Sequence, residues 1–248
     1  TKQKPPDCDT ANPTSFYHHI SRILLEITAP SVSTTLRYSD LMPVHIVAHP
    51  VVQDALAVLR LNTTNAAEFR RNAARLTMAL AVEATKTLPM QNISVETVLG
   101  KAPARRIDDE IVVVPVLRAG LSMLDPILTL LPTARVGYIG LERDEQTAIA
   151  SSYYSKLPDQ IASAQVLLVD PMLATGGSAV AALDLLSGLG VSHAVLLSIV
   201  ATDQGIRAVE EHHSQPTIYT AAVDPTLNEQ KYIVPGLGDF GDRLYGTD

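Results

Sequence analysis

The 248-residue sequence predicts an α/β fold, a mostly parallel central sheet flanked by helices. Three observations predict it. From residue 111 onward, short runs of Val, Ile and Leu alternate with stretches of helical spacing. The runs are apolar without interruption, as expected of strands buried on both faces. One of them leads through a glycine-rich turn, ATGGS at 174–178, into a helical segment. Ligands of open parallel sheets sit just beyond such strand ends.

The elements follow in order. Residues 1–40 are polar and rich in Pro, Ser and Thr, apart from the apolar patch Ile23-Leu24-Leu25. They read as an N-terminal extension, either with a short helix or strand or as a weakly ordered tail, and 41–248 as the folded domain. Segment 44–61, with Val51, Val52, Leu56 and Leu59, suits a short amphipathic helix. Asn65 and Glu68 have the spacing of a capping pair. Phe69, Ala73, Leu76 and Leu80 then recur at threes and fours as one buried stripe. Residues 91–106 read as an irregular or hairpin connection.

Ile111-Val112-Val113-Val114 is the first buried strand, stopped by Pro115, with a helix over 120–131. A second strand covers 136–139. The polar stretch 141–160, with Tyr153 and Tyr154, has no clean period and reads as a long loop or β-arm. Loops of that length in compact domains are often lids. A third strand (166–169), a helix (178–189), a fourth strand (195–200), a helix (203–213) and a fifth strand (217–223) complete the alternation, and the glycine-rich C-terminus reads as loop.

Composition narrows the function. Lys plus Arg number 19 against 26 Asp plus Glu, a formal charge of −7. A general nucleic-acid binder is expected to carry a basic surplus. There is no Trp, and only 4% of residues are aromatic, so stacking platforms for single strands are scarce. Cys8 is the only cysteine, which excludes an intramolecular disulfide and a cysteine-based zinc site. No apolar run reaches membrane-spanning length, and no signal-peptide pattern opens the sequence. The expectation is a cytoplasmic protein with no nucleic-acid or membrane partner.

Four segments carry candidate chemistry. In VLLVDPMLATGGS (166–178) a buried strand ends at Asp170, and a turn of small residues meets a helix mouth. Backbone amides and the positive end of the helix dipole favour a phosphate there. Thr175 and Ser178 add hydroxyl donors, and Asp170 can accept from ribose hydroxyls. On this reading a side chain at Gly176 should block the ligand and spare the fold. In PVLRAG (115–120), Arg118 follows a strand, and arginine matches phosphate oxygens bidentately. In LERDE (141–145), Arg143 lies in the lid segment. In YIVPGLGDFGDRLYGTD (232–248), three glycines expose backbone groups that can read the edge of a flat polar ring, and Asp239 and Asp242 are candidate carboxylates. Each segment also has an ordinary structural explanation: a capped turn, a surface arginine, a local ion pair, a closing loop.

Two familiar phosphate motifs are excluded. No GxxxxGK[ST] occurs, and GLGDFG at 236–241 has no strand–turn–helix context to make it a dinucleotide fingerprint. The histidines show no metal spacing.

Taken together, DPMLATGGS, VPVLRAG, SKLPDQI and LNEQKYIVPGLGDFGDRLYGTD resemble the uracil phosphoribosyltransferases, of the type I phosphoribosyltransferase family, from about His49 onward. Most of the wider family carries two consecutive acids at the first turn; here Pro171 replaces the second. The resemblance implies a type I fold with a β-arm or lid and a C-terminal hood that binds the base. It implies that 5-phosphoribosyl 1-diphosphate is held by Arg118, Arg143, Asp239 and the loop Asp170, Pro171, Met172, Leu173, Ala174, Thr175, Gly176, Gly177 and Ser178. It implies that uracil is held by Ile233, Gly238, Asp239 and Phe240, with Asp239 and Arg143 catalytic and Mg²⁺ carried by the donor. A homodimer or homotetramer is implied too. Some family members are activated by GTP, and the sequence leaves that open here.

There are departures. Many relatives have Tyr-Glu-Ala at Val82-Glu83-Ala84, and many have Ala at Phe240, which is expected to stand beside the base. Two other readings remain: a transferase for another base, such as orotate or a purine, and a nucleotide-binding regulatory protein without turnover. Orotate would need a cation near 232–241, where only Lys231 is available.

Overall fold

The computed structural model describes residues 44–143, 150–213 and 216–247, without the side chains of 143, 150 and 151. The patch Ile23-Leu24-Leu25 and the arm tip 144–149 lie outside the described residues. All described residues belong to the compact unit Tyr38–Asp248.

The chain forms β1 (Val44–Ile46), α1 (Pro50–Arg60), α2 (Ala66–Ala84), the hairpin β2 (Met90–Thr97) and β3 (Gly100–Ile107), then β4 (Ile111–Leu117) and α3 (Leu121–Leu130). There follow β5 (Arg135–Val136), β6 (Tyr138–Arg143), β7 (Ala150–Lys156), β8 (Gln165–Val169), β9 (Met172–Leu173) and α4 (Gly177–Gly188). The chain continues with β10 (Ala194–Thr202), α5 (Asp203–His212), β11 (Thr217–Asp224), β12 (Thr226–Leu227), β13 (Ile233–Val234) and α6 (Phe240–Tyr245). The main sheet runs β1-β11-β10-β8-β4-β6-β7, with β5 on β4 and β9 on β10. Every pairing in it is parallel except β6 with β7. Among the described residues no helix is long and apolar enough to cross a membrane.

The uninterrupted apolar runs are explained by the two cores. Val113, Leu167, Val169 and Leu197 face one core with α1, α2, α3 and α6, while Val112, Val114, Val166 and Leu196 face the other with α4 and α5. Successive strand residues point to opposite faces, so a strand covered on both must be apolar at every position. The capping pair forms as spaced: Asn65 accepts from the Glu68 amide at 3.0 Å, and its side-chain amide reaches the Glu68 carboxylate at 3.2 Å.

Three readings need correction. Segment 44–61 is not all helix: 44–46 is an edge strand on β11, and the helix starts at Pro50, capped by His49. A three-residue strand is too short for an alternation signal. The second strand is two, β5 and β6, broken at Gly137, where a Cβ would lie 2.5 Å from Leu157. The C-terminus is not simply loop, since it holds β13 and the short helix α6. The 91–106 connection is a regular hairpin, and 141–160 forms an antiparallel β-arm from β6 and β7.

Candidate active site

Because the strands are parallel, the ends of β4, β8, β10 and β11 share one edge of the sheet. Arg118 follows β4, Asp170 follows β8, Thr202 ends β10, and Asp224, in register with Thr202, ends β11.

At the β4 end the Gly120 amide donates to the Val116 carbonyl at 2.9 Å. A Cβ on Gly120 would stand 2.4 Å from the Val169 carbonyl, so the turn packs directly on β8 and only glycine fits. This tight turn leaves Arg118 exposed. Among the described residues no carboxylate pairs with its guanidinium. The Leu117–Arg118 peptide is cis.

The turn after β8 is built against β10 and α5. Ile199 and Val200 donate to the Pro171 carbonyl, at 2.9 and 3.1 Å. Leu173 donates to the buried Ser198 hydroxyl at 3.1 Å, and the Thr202 hydroxyl donates to the Ala174 carbonyl at 2.6 Å. Asp170 accepts from the Met172 amide at 3.4 Å. Gly176 has φ 85° and caps α4 without any side-chain bond. Its missing Cβ would lie 2.7 Å from the Ala208 Cβ and 2.8 Å from the Gly205 carbonyl. The expectation for Gly176 is thereby corrected: the space beside it is filled by α5. Among the described residues outside the helix's own backbone, the one atom near a Cβ on Gly177 is the Thr175 hydroxyl, at 3.8 Å. Gly177 borders open space, and the first-turn amides of α4 have no partner within the helix.

The third part, from Asp224 to Tyr245, forms a hood tied down by three arginines. Arg60 donates to both Asp224 oxygens at 2.7 Å and to the Gly236 carbonyl at 2.8 Å. The Gly236 amide returns a bond to Asp224 at 2.9 Å. Arg243 donates to the carbonyls of Leu237, Leu59 and Leu61, and its guanidinium lies 4.6 Å from the Phe69 ring centre. Burial lowers its pKa from the usual arginine range. Arg70 holds the Leu244 carbonyl at 2.7 Å, and the Tyr245 hydroxyl reaches the Arg118 carbonyl at 3.4 Å. The hood therefore meets the β4 turn.

Two site residues behave otherwise than their sequence context suggests. The Phe240 ring turns into the core: it is buried and packs edge-on against Phe69 at 5.1 Å. Asp239, a candidate for chemistry, also has a structural duty: it caps α6 by accepting from the Asp242 amide at 2.9 Å. Ile233 is buried, Gly238 is exposed with φ 81°, and Asp239 is half-buried. Arg143 ends β6, one strand beyond β4, and its side chain is not described. The arm is irregular there: the register shifts between Gly140 and Leu141, leaving Tyr153 as the extra residue, its ring where a Gly140 Cβ would sit.

Arg60, Arg70, Asp224 and Arg243 had no place in the sequence reading. Asp224 had a signal, because it ends a buried strand as Asp170 does. Arg60 ends an amphipathic helix, where a cation is ordinary dipole complement. Nothing local tells such an arginine from one with a distant partner.

A parallel sheet with a glycine-bearing turn at a helix mouth, an exposed arginine after β4 and a C-terminal hood along one edge is the architecture of the type I phosphoribosyltransferases. The family model described as uracil phosphoribosyltransferase matches residues 46–247. The chain is 43% identical over 203 residues to a uracil phosphoribosyltransferase of Enterococcus faecalis, covering 82% of this chain and 97% of that one. It is 46% identical over 207 residues to that of Wolinella succinogenes, covering 83% and 100%. Among solved structures it is similar to the AQ2163 protein of Aquifex aeolicus, with TM-score 0.79, 35% identity and coverage of 83% and 99%. The chain belongs to the uracil phosphoribosyltransferase family.

Proposed function

We propose that this chain transfers the phosphoribosyl group of 5-phosphoribosyl 1-diphosphate to uracil. The bond from the anomeric carbon to the diphosphate oxygen breaks, the bond to uracil N1 forms, the N1 proton is lost, and UMP and diphosphate leave. The observation that carries this reading is the order of parts on one sheet edge, in a chain of this family: the Arg118 turn, the cradle after β8 and the hood after β11.

In this scheme Ala174 to Ser178 hold the 5-phosphate, with Pro171, Met172 and Leu173 shaping the turn and Asp170 accepting from the ribose hydroxyls. Arg118 and Arg143 neutralise the departing diphosphate, and the β6–β7 arm closes over it to exclude water. Asp239 stands beside the anomeric carbon. Among the described residues no group of three or more His, Cys, Asp and Glu could hold a metal. Mg²⁺ would arrive on the donor's own oxygens, with Asp239 as the carboxylate beside it. When bound, the ion supplies charge neutralisation to the leaving group.

Uracil presents O4, N3–H and O2 along one edge. Backbone groups at Ile233 and at Gly238 to Phe240 supply N–H, C=O and N–H in that order. In support, the Gly238 and Phe240 amides donate to no carbonyl among the described residues. Cytosine reverses two of the three matches, each leaving a buried group unpaired at about 1–3 kcal/mol. A competition assay should give cytosine a kcat/KM lower than that of uracil by roughly a hundredfold or more, with 5-fluorouracil accepted. Equal use of uracil and cytosine would refute backbone readout. No turnover of radiolabelled uracil would favour the regulatory alternative.

We take 41–248 as the catalytic domain and 1–40 as an extension, and place the protein in the cytoplasm, in keeping with its single cysteine. We also propose a homodimer or homotetramer. The β2–β3 hairpin pairs with no other strand among the described residues, and Val98 and Leu99 at its tip are fully exposed. A lone two-stranded hairpin is marginal in water; a second copy would cover it. Sedimentation of a monomer at micromolar concentration would count against this, and assays with and without GTP decide whether it is an effector.

A further inference from the structure

We propose that Arg60 and Asp224 are a positioning pair that fixes the base-reading turn and so sets the choice of base, an inference that rests on the reading of Ile233 and Gly238 to Phe240 as the uracil site.

The Asp224 side chain is 7% exposed and accepts three bonds, two from the Arg60 fork and one from the Gly236 amide. Arg60 also donates to the Gly236 carbonyl. Both backbone polar groups of one residue are thus held by one ion pair. Gly236 is two residues from Gly238, has φ 54°, and folds back so far that a Cβ would lie 2.1 Å from the Ile233 carbonyl. The peptide planes on either side of Gly236 are therefore gripped between Ile233 and Gly238, the two ends of the proposed reader. A reader made of backbone groups has no rotamers to adjust, so its accuracy depends on what holds the backbone.

A buried pair of this kind is weak evidence for stability, because desolvation offsets most of the attraction; what it supplies is a defined geometry. The phosphate cradle is held separately, by Ser198, Thr202 and Gly205. Loosening the pair should therefore act on the base and not on the sugar donor. A merely structural pair would weaken both sides or neither.

The test uses the full chain with Arg60→Lys and Asp224→Asn. Lysine keeps the charge and loses the planar fork. Asparagine keeps the shape and one acceptor, and it carries the test should Arg60→Lys yield no folded protein. The expected result is a uracil KM raised about tenfold or more and a uracil-to-cytosine preference reduced about tenfold, with the donor KM within about twofold. Gly238→Ala is measured beside them, because it disturbs the reader directly. If Gly238→Ala raises the uracil KM and the folded pair variants do not, the positioning role is wrong and the base site stands. If none of the three moves it, the base site itself is wrong and the pair goes with it. Equal changes in the KM for uracil and for the donor would show the pair to be structural only.

Discussion

The cradle at 170–178 and the hood at 224–245 are both glycine-bearing turns on the same sheet edge, yet they are held by different forces. The cradle is fastened mainly by its neighbours in the sheet and the helix behind it: backbone amides of β10, two hydroxyls, and Gly176 and Gly205 in direct contact. The hood is fastened by long cationic side chains, Arg60, Arg70 and Arg243, reaching backbone carbonyls across 174 to 184 residues of sequence. Glycine serves different ends in the two. At Gly176 it allows helix–turn packing, at Gly177 it leaves room for a ligand, and at Gly236 it allows the chain to double back.

The largest effect expected from this contrast is Gly176→Val. A branched side chain at φ 85°, pressed against Gly205 and Ala208, should cost about 3–5 kcal/mol from strain and overpacking combined. Little soluble protein should be recovered. A stable Gly176→Val protein would mean that the cradle is not held by packing.

Phe240→Ala comes next. It removes a buried ring from Phe69 and should cost about 3–4 kcal/mol in a denaturant titration. Its kcat/KM per folded molecule should change little, because the ring faces the core. A lost uracil preference at unchanged stability would put the ring beside the base after all.

Gly177→Val is the counterpart of Gly176→Val. Among the described residues outside α4's own backbone, its Cβ meets only the Thr175 hydroxyl, at 3.8 Å. Donor KM should rise about a hundredfold, equivalent to roughly 2.7 kcal/mol, with thermal stability little changed. Full donor affinity would place the phosphate elsewhere.

The smallest effect separates two duties of one residue. Asn caps helices about as well as Asp, so Asp239→Asn should keep the bond to Asp242 and lose only the charge. We expect kcat to fall about tenfold or more, with Tm unchanged. Asp239→Ala should add about 1 kcal/mol of destabilisation as the cap is lost. Equal kcat in wild type and Asp239→Asn would leave Asp239 with the cap alone.

The same contrast decided what could be read in advance. The sheet, its helices and the cradle were legible because their signals are local: apolar runs for strands covered on both faces, and a small-residue turn between Val169 and α4. The hairpin and the arm were legible as interruptions. The hood was only half legible. Its glycines marked a tight turn, but α6 is six residues long, too short for periodicity, and the role of Phe240 depends on Phe69 in a distant helix. The cap that Asp239 forms went unread, although its spacing to Asp242 is that of any N-cap. Arg60 and Asp224 identify each other only in the folded chain, where a separation of 164 positions has been brought round.

The fasteners of the hood also bear on the order in which the protein is made. A polypeptide emerging from the ribosome as far as residue 213 already contains β8, α4, β10 and α5, and with them the Ser198, Thr202 and Gly205 contacts that shape the cradle. It lacks Asp224, Gly236 and Arg243, so Arg60 and the carbonyls of Leu59 and Leu61 wait without their partners. Closing loops of that length is slow and costly in entropy. On the proposed assignment of sites, the turn that holds the sugar phosphate would be shaped before the turn that reads the base, which waits for the last strand and helix.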